Sequence, residues 1–379
     1  MLKILVYDTN FVPGISRVIP LIKIKYWQKH DCQITIFGTK DAEFFYKSKL
    51  GGLNYLSLDF KYKVKNPYSL IWEVIKVNFL AILKIKEVLG KYDIVYSQSS
   101  VIDFLFIPWV LRNLDKRIKW FVMVDNIVPG PGERPGAYLK NLIPYLAFKL
   151  GDLLLKKADG IFVVTDFLKN YYQKNGMKNV VKTNNGYGIE TEIFTGKINK
   201  KTPKFDALYC GRLHLAKGIM DLVEVARIVT QKNPNFTIGI LGDGDEKTKN
   251  NFFGKIKEYN LDKNFLFFGY KTGRKKGDIY RNCGFFLFLS YDEGCPHAVI
   301  EAFACNKLVL AYDLPIYHEV FNNYLKSGQL VLFRQKDLKA IADFILKREN
   351  KDNLFHNTLK DFTWDRIVKK ELEAMKAVQ

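Results

Sequence analysis

The stretch Glu293-Gly294-Cys295-Pro296-His297-Ala298-Val299-Ile300-Glu301, continued by Ala302-Phe303-Ala304-Cys305, decides the fold. Before it runs Phe285-Phe286-Leu287-Phe288-Leu289-Ser290, apolar in five of six positions, the pattern of a strand buried on both faces. Gly294 turns the backbone freely and Pro296 is pre-set for a first helical turn; from Ala298 to Ala304 the apolar residues take helical spacing. The reading is a strand, a turn and a helix, with Glu293 at the strand's carboxyl end and Glu301 two helical turns on. In an open parallel sheet ligands bind at such a junction, and the free N–H groups of the helix start favour an anion or a ring of hydroxyls.

The rest of the chain bounds that reading. At 379 residues it exceeds the size at which a single core splits, and its 48% apolar content suffices for two. Five scattered cysteines without metal spacing point to a reduced, cytoplasmic compartment. No apolar run approaches the roughly 20 residues of a spanning helix, so the chain is not expected to be integral to a membrane. The net charge of +20 is uneven: residues 1–200 hold 30 basic and 17 acidic side chains. Such an excess fits attraction to an anionic lipid surface, or only the lysine- and asparagine-rich composition of an AT-rich genome. A nucleic-acid partner is not expected, because no recognition motif accompanies the charge.

Along the first half, strand patterns at 3–7, 33–37, 94–96, 119–124 and 159–165 alternate with helical ones, a parallel α/β arrangement. Residues 69–90 read as one amphipathic helix from a Ser cap to a Gly stop. The helix at 17–30 mixes Tyr26 and Trp27 with lysines; it is either a core helix with a basic side or an interfacial one, as is 138–157. Gly14 lies in the first loop. Asp125 and Asn126 end the 119–124 strand and precede a segment with three prolines and three glycines, 128–136, an exposed loop suited to acceptor binding or to plain connection. The lysine-rich segment 196–203 reads as a linker.

The second half restarts the alternation at 206–210, followed by Gly211-Arg212-Leu213 and Lys217-Gly218 before a helix over 220–232. Two cations at a helix start suit a diphosphate, Arg gripping oxygens in pairs and Lys acting as a point charge. A strand over 236–241 ends in Gly242-Asp243-Gly244-Asp245, whose offsets are not those of the dinucleotide fingerprint. Strands at 265–268 and 308–312 and a helix over 276–282 complete the pattern.

In this order and at these distances, Gly211-Arg212-Leu213 with Lys217-Gly218, Leu241-Gly242-Asp243-Gly244, Phe267-Phe268-Gly269, and Glu293-Gly294 with Pro296 and Glu301-Ala302-Phe303-Ala304 resemble the donor domain of family 4 retaining glycosyltransferases. The likeness covers residues 205–320, and Phe362-Thr363-Trp364 looks like the start of that family's last helix. It implies the GT-B fold: two facing Rossmann-like domains with a cleft between them, 1–198 for the acceptor and 199–361 for the donor, and a C-terminal helix, 362–379, crossing back to the first. It also implies transfer of a sugar from a nucleotide-sugar to a hydroxyl with retention, and no cofactor or metal.

By the same likeness Arg212 and Lys217 would neutralise the diphosphate, with Gly211 and Gly242 letting the donor approach. Glu301 would take the ribose hydroxyls, and Glu293 a sugar hydroxyl with the N–H groups around Gly294, Cys295, Pro296, His297 and Ala298. Tyr270 would meet the base through its main chain, while Asp125 would meet the sugar or acceptor. Two positions depart from the family: Val124 stands where many relatives carry His, and Asn306 where a Gly is usual. His297 is not a residue the family fixes. Rival readings are a nucleotide-sugar epimerase or phosphorylase of the same fold, and a non-catalytic nucleotide-sugar sensor. A glycosidase pair of carboxylates would leave Arg212 and Lys217 without a purpose. The acceptor is expected to be a lipid-linked or membrane-borne glycan, with the protein peripheral on an anionic membrane face.

Overall fold

The computed structural model describes residues 1–9, 18–63, 67–128, 130–132, 138–183, 188–197, 201–294, 296–348 and 359–378. The chain divides into two compact units, residues 1–188 with 364–379, and residues 189–363. The division falls ahead of the lysine-rich segment because the helix Thr191–Phe194 packs on the helix Gly273–Asn282 of the second unit. There Arg281 Nη1 donates to Ile193 O at 2.7 Å, and Gly277 lies so close that a Cβ would meet Ile193 O at 2.0 Å.

The first unit holds strands β1 Lys3–Asp8, β2 Gln33–Thr39, β3 Asn54–Leu58, β4 Ile94–Ser97, β5 Lys119–Val124, β6 Gly160–Val163 and β7 Val180–Lys182. They form one parallel sheet in the order β3-β2-β1-β4-β5-β6-β7. The second holds β8 Phe205–Cys210, β9 Ile238–Leu241, β10 Phe265–Gly269, β11 Cys283–Phe288, β12 Val309–Tyr312 and β13 Leu330–Phe333, parallel in the order β10-β9-β8-β11-β12-β13. Helices on both faces explain why the central strands are apolar throughout, as in the fully buried Ile4 to Tyr7 and Leu208 to Tyr209. In both sheets the strand order reverses after the first strand, the crevice-forming arrangement of doubly wound sheets.

Three expectations need correction. The 69–90 pattern is not one helix: Pro67–Leu83 ends before a short 3-10 turn, Ile85–Glu87, and Gly90 has φ +75°. The 17–30 helix, Val18–Lys29, is not interfacial. Ile24, Tyr26 and Trp27 are buried, and among the described side chains of the helix only Lys29 is exposed. Lys23 is buried too: its Nζ donates to Glu371 Oε1 at 3.1 Å and to the Tyr96 hydroxyl at 2.5 Å. Burial lowers the Lys23 pKa against the pull of Glu371, and raises that of Glu371 against the pull of Lys23. Glu371 sits on the C-terminal helix Trp364–Ala377, which this pair fastens to the first unit. Trp364 seals its start, packed so tightly on Gly188 that a Cβ there would meet the indole at 2.3 Å. Finally, Pro296 stands at the cap of the helix His297–Ala304 rather than in its first turn.

Candidate functional site

The candidate donor residues follow the carboxyl ends of four neighbouring strands in the second unit. Gly211 and Arg212 follow β8, Gly242 follows β9, Tyr270 follows β10, and Glu293 lies in the loop after β11. Two glycines hold the loops together. Gly242 has φ +149°, and a Cβ on it would meet Gly211 O at 1.9 Å; Gly218, at φ +66°, would meet Leu289 O at 1.9 Å. Neither spacing admits a side chain, so the β8–helix loop presses directly on the ends of β9 and β11.

Lys217 closes a short 3-10 turn, Leu215–Lys217, whose start is capped by His214 Nδ1 accepting from Ala216 N–H at 3.2 Å. Its ammonium donates to Glu293 Oε1 at 2.6 Å; the Glu293 side chain is 7% exposed and that of Lys217 24%. Arg212 is exposed, and its loop is pinned by the buried Tyr209, whose hydroxyl donates to Arg212 O at 2.8 Å. Burial raises the Tyr209 pKa.

Glu301 lies on the helix His297–Ala304 and is held by two residues absent from the sequence reading. Lys276 Nζ donates to Oε1 at 2.6 Å and the Tyr280 hydroxyl to Oε2 at 2.8 Å. Both partners lie one turn apart on the helix Gly273–Asn282, directly after Tyr270, and that i, i+4 spacing was the available signal. Desolvation opposes the Lys276 charge, yet its pKa is raised, Glu301 contributing both its charge and its hydrogen bond. Burial pushes the Cys210 thiol up to about 11, so this cysteine is a neutral packing group. His297 Nε2 is buried without a hydrogen-bond partner among the described residues; burial and the Lys276 charge lower its pKa to about 4, leaving a neutral imidazole at neutral pH. The helix's first bond runs from Val299 N–H to Pro296 O at 3.0 Å, so the N–H groups of His297 and Ala298 precede the hydrogen-bonded ladder.

The structure therefore brings together Gly211, Arg212, Lys217, Gly242, Glu293, Gly294, Pro296, His297, Ala298 and Glu301 around the β8/β11 reversal, with the 70% exposed Tyr270 at the β10 end. Cys295 and Gly14 lie outside the described residues, as does most of the Pro- and Gly-rich loop. In the first unit Asp125 and Asn126 are exposed just past β5, while Val124 is buried inside it. Asn306 adopts φ +57°, the left-handed turn for which Gly is usual and which Asn also tolerates. Among the described residues, no group of three or more His, Cys, Asp or Glu is placed to hold a metal ion.

Residues 190–361 match the family described as glycosyl transferases group 1. An uncharacterized glycosyltransferase of Methanocaldococcus jannaschii is 30% identical over 268 residues, 67% of this chain and 63% of that protein. The alpha-galactosylglucosyldiacylglycerol synthase of Streptococcus pneumoniae is 29% identical over 168 residues, 40% of this chain and 43% of that one. The chain thus spans less than two thirds of the length of these relatives. Among solved structures, Anabaena HepE in complex with UDP and glucose superposes with a TM-score of 0.70 at 14% identity, covering 100% of both chains. A double Rossmann-like architecture with a returning C-terminal helix gives the chain the GT-B fold, and its second unit, along nearly its whole length, matches the glycosyl transferases group 1 family.

Proposed function

We propose that the protein is a retaining, metal-independent glycosyltransferase that moves a sugar from a nucleotide-sugar onto a hydroxyl of a lipid-linked or membrane-borne glycan. The observation that carries the reading is the Lys217–Glu293 pair at 2.6 Å beside the exposed Arg212, at the switch point of the second sheet. Fixed cations there suit a departing nucleoside diphosphate. As the glycosidic bond breaks, negative charge grows on the leaving phosphate, and Arg212 and Lys217 stabilise it more in the transition state than in the bound donor. Glu293, relieved of Lys217 by the phosphate, accepts from a sugar hydroxyl, and the N–H groups at His297 and Ala298 add donors to the same ring. Glu301, already oriented by Lys276 and Tyr280, accepts from the ribose hydroxyls. Tyr270 offers main-chain groups to the base, and Asp125 is the first-unit carboxylate for the sugar or the acceptor. The synthase from S. pneumoniae, a relative named for a glycolipid product, supports a lipid-borne acceptor.

The test is substitution with two readouts. Arg212→Ala or Lys217→Ala lowers nucleoside diphosphate affinity and turnover, the latter by about 2–4 kcal/mol of barrier. His297→Ala has a milder effect. Equal activity in all three overturns the assignment. A thermal-shift screen against UDP, GDP, ADP and their sugars identifies the donor, since a ligand at 100 times its Kd stabilises by about 2.7 kcal/mol.

A further inference from the structure

The first unit carries a surface of a different kind. The helices Pro67–Leu83 and Tyr138–Leu155 both pack on the helix Ile102–Leu114 and leave a groove of about 720 Å³ between them. Of its fifteen lining residues only Asn78 and Asp103 are polar. Both are turned inward: Asn78 accepts from the Tyr7 hydroxyl at 3.0 Å and donates to Val74 O at 2.8 Å, and Asp103 is 3% exposed.

The groove walls continue outward as apolar helix faces. Trp72, Ile75 and Phe79 on one helix, and Leu146, Leu150 and Leu153 on the other, are each more than half exposed. Their i, i+3, i+7 and i, i+4, i+7 spacings put each trio on a single stripe, so this is a continuous apolar surface rather than scattered side chains. Its fully exposed charges are basic, while Asp152 on the second helix is part-buried and Asp103 is enclosed. Lys76 and Lys149 are exposed on the two helices, and Lys156 and Lys157 follow the second; Glu73 is buried and engaged by Lys76 at 3.0 Å. No helix among the described residues is long and apolar enough to cross a bilayer.

We propose that this face docks on an anionic membrane leaflet, the two helices lying in the interface with their apolar stripes and the groove against acyl chains and the lysines among the head groups. Charge selects this occupant. A second copy of a chain of net charge +20 would bring Lys76 and Lys149 against their own equivalents, whereas anionic head groups complement them. The inference gives a physical place to the membrane-borne acceptor of the proposed function and rests on that reading for its purpose, but not for its test.

The full chain is floated with vesicles of phosphatidylcholine alone, or mixed equally with phosphatidylglycerol, at physiological salt. Binding to the anionic vesicles is expected, weakening as salt rises. The double variant Phe79→Asp/Leu150→Asp, altered only at exposed positions, is expected to bind on the order of a hundredfold less. As a second readout needing no charged substitution, brominated acyl chains quench fluorescence that disappears in Trp72→Phe. No flotation, undiminished binding by the double variant, or quenching unchanged in Trp72→Phe overturns the proposal. So does concentration-dependent dimerisation that the double variant abolishes while vesicle binding is absent. Thermal stabilisation by nucleotide, measured without lipid, reports separately on the donor site: if it persists while flotation fails, only the docking face is lost.

Discussion

Glu293→Gln is the substitution that separates the two jobs of the donor loop. Lys217 Nζ and Glu293 Oε1 are 2.6 Å apart with the carboxylate almost enclosed, so a diphosphate engaging Lys217 must take the ammonium from Glu293. A hydrogen bond between charged groups contributes a net of about 1.5–3 kcal/mol, and the quarter-exposed lysine places this one at the low end. Removing the carboxylate charge frees the cation and deletes a negative group beside the phosphates. At roughly 1.4 kcal/mol per decade, free nucleoside diphosphate should bind about tenfold tighter. The same change removes the acceptor proposed for a donor-sugar hydroxyl, so turnover of the nucleotide-sugar should fall by a factor on the order of 100 to 1,000. Lys217→Met should weaken both. Titration calorimetry with UDP and GDP, alongside steady-state transfer or donor hydrolysis, measures the two effects on one preparation. Weakening of nucleoside diphosphate by Glu293→Gln to the extent seen in Lys217→Met would refute the competition and the roles drawn from it.

Two predictions concern stability. Glu371→Leu leaves Lys23 buried and uncompensated and should cost about 3–5 kcal/mol, or about 6–20 °C in Tm for a unit of roughly 200 residues, while Lys23→Met/Glu371→Leu should restore most of it; equal losses in both variants would show that the pair is not the cause. His297 has a folded pKa near 4 against about 6.5 unfolded, so below pH 6.5 only the unfolded chain takes up this proton; stability should fall as pH drops from 6.5 to 4, and denaturation in His297→Gln should lose on the order of 2 kcal/mol of that dependence, whereas an identical pH profile would place the imidazole in water.

The candidate site was far more legible in the second unit than in the first. The apolar run ahead of Glu293 is a strand because both of its faces are covered, and β5 matches its sequence pattern to the residue. The edge strands β3 and β13 escaped notice because each is short and only half-buried. The helix Val18–Lys29 misled in a different way: its lysines look like a solvated side, yet Lys23 is neutralised by a residue 348 positions away. Lys276 and Tyr280 offered only their i, i+4 spacing as a signal, since what gives them a role is Glu301 on another helix.

The sequence alone determined the alternating α/β order, the loops that follow the strands of the second unit, and the charge types placed on them, because burial pattern, glycine and proline act through near neighbours in the chain. Only the tertiary structure decided which of those charges meet. Lys217 faces Glu293 across 76 positions and Lys276 faces Glu301 across 25, separations bridged by the parallel sheet and its order β9-β8-β11. It decided equally that Lys23 of Val18–Lys29 faces inward while the apolar stripes of Pro67–Leu83 and Tyr138–Leu155 face out. Periodicity says that a helix has two faces; which of them is covered depends on what packs there.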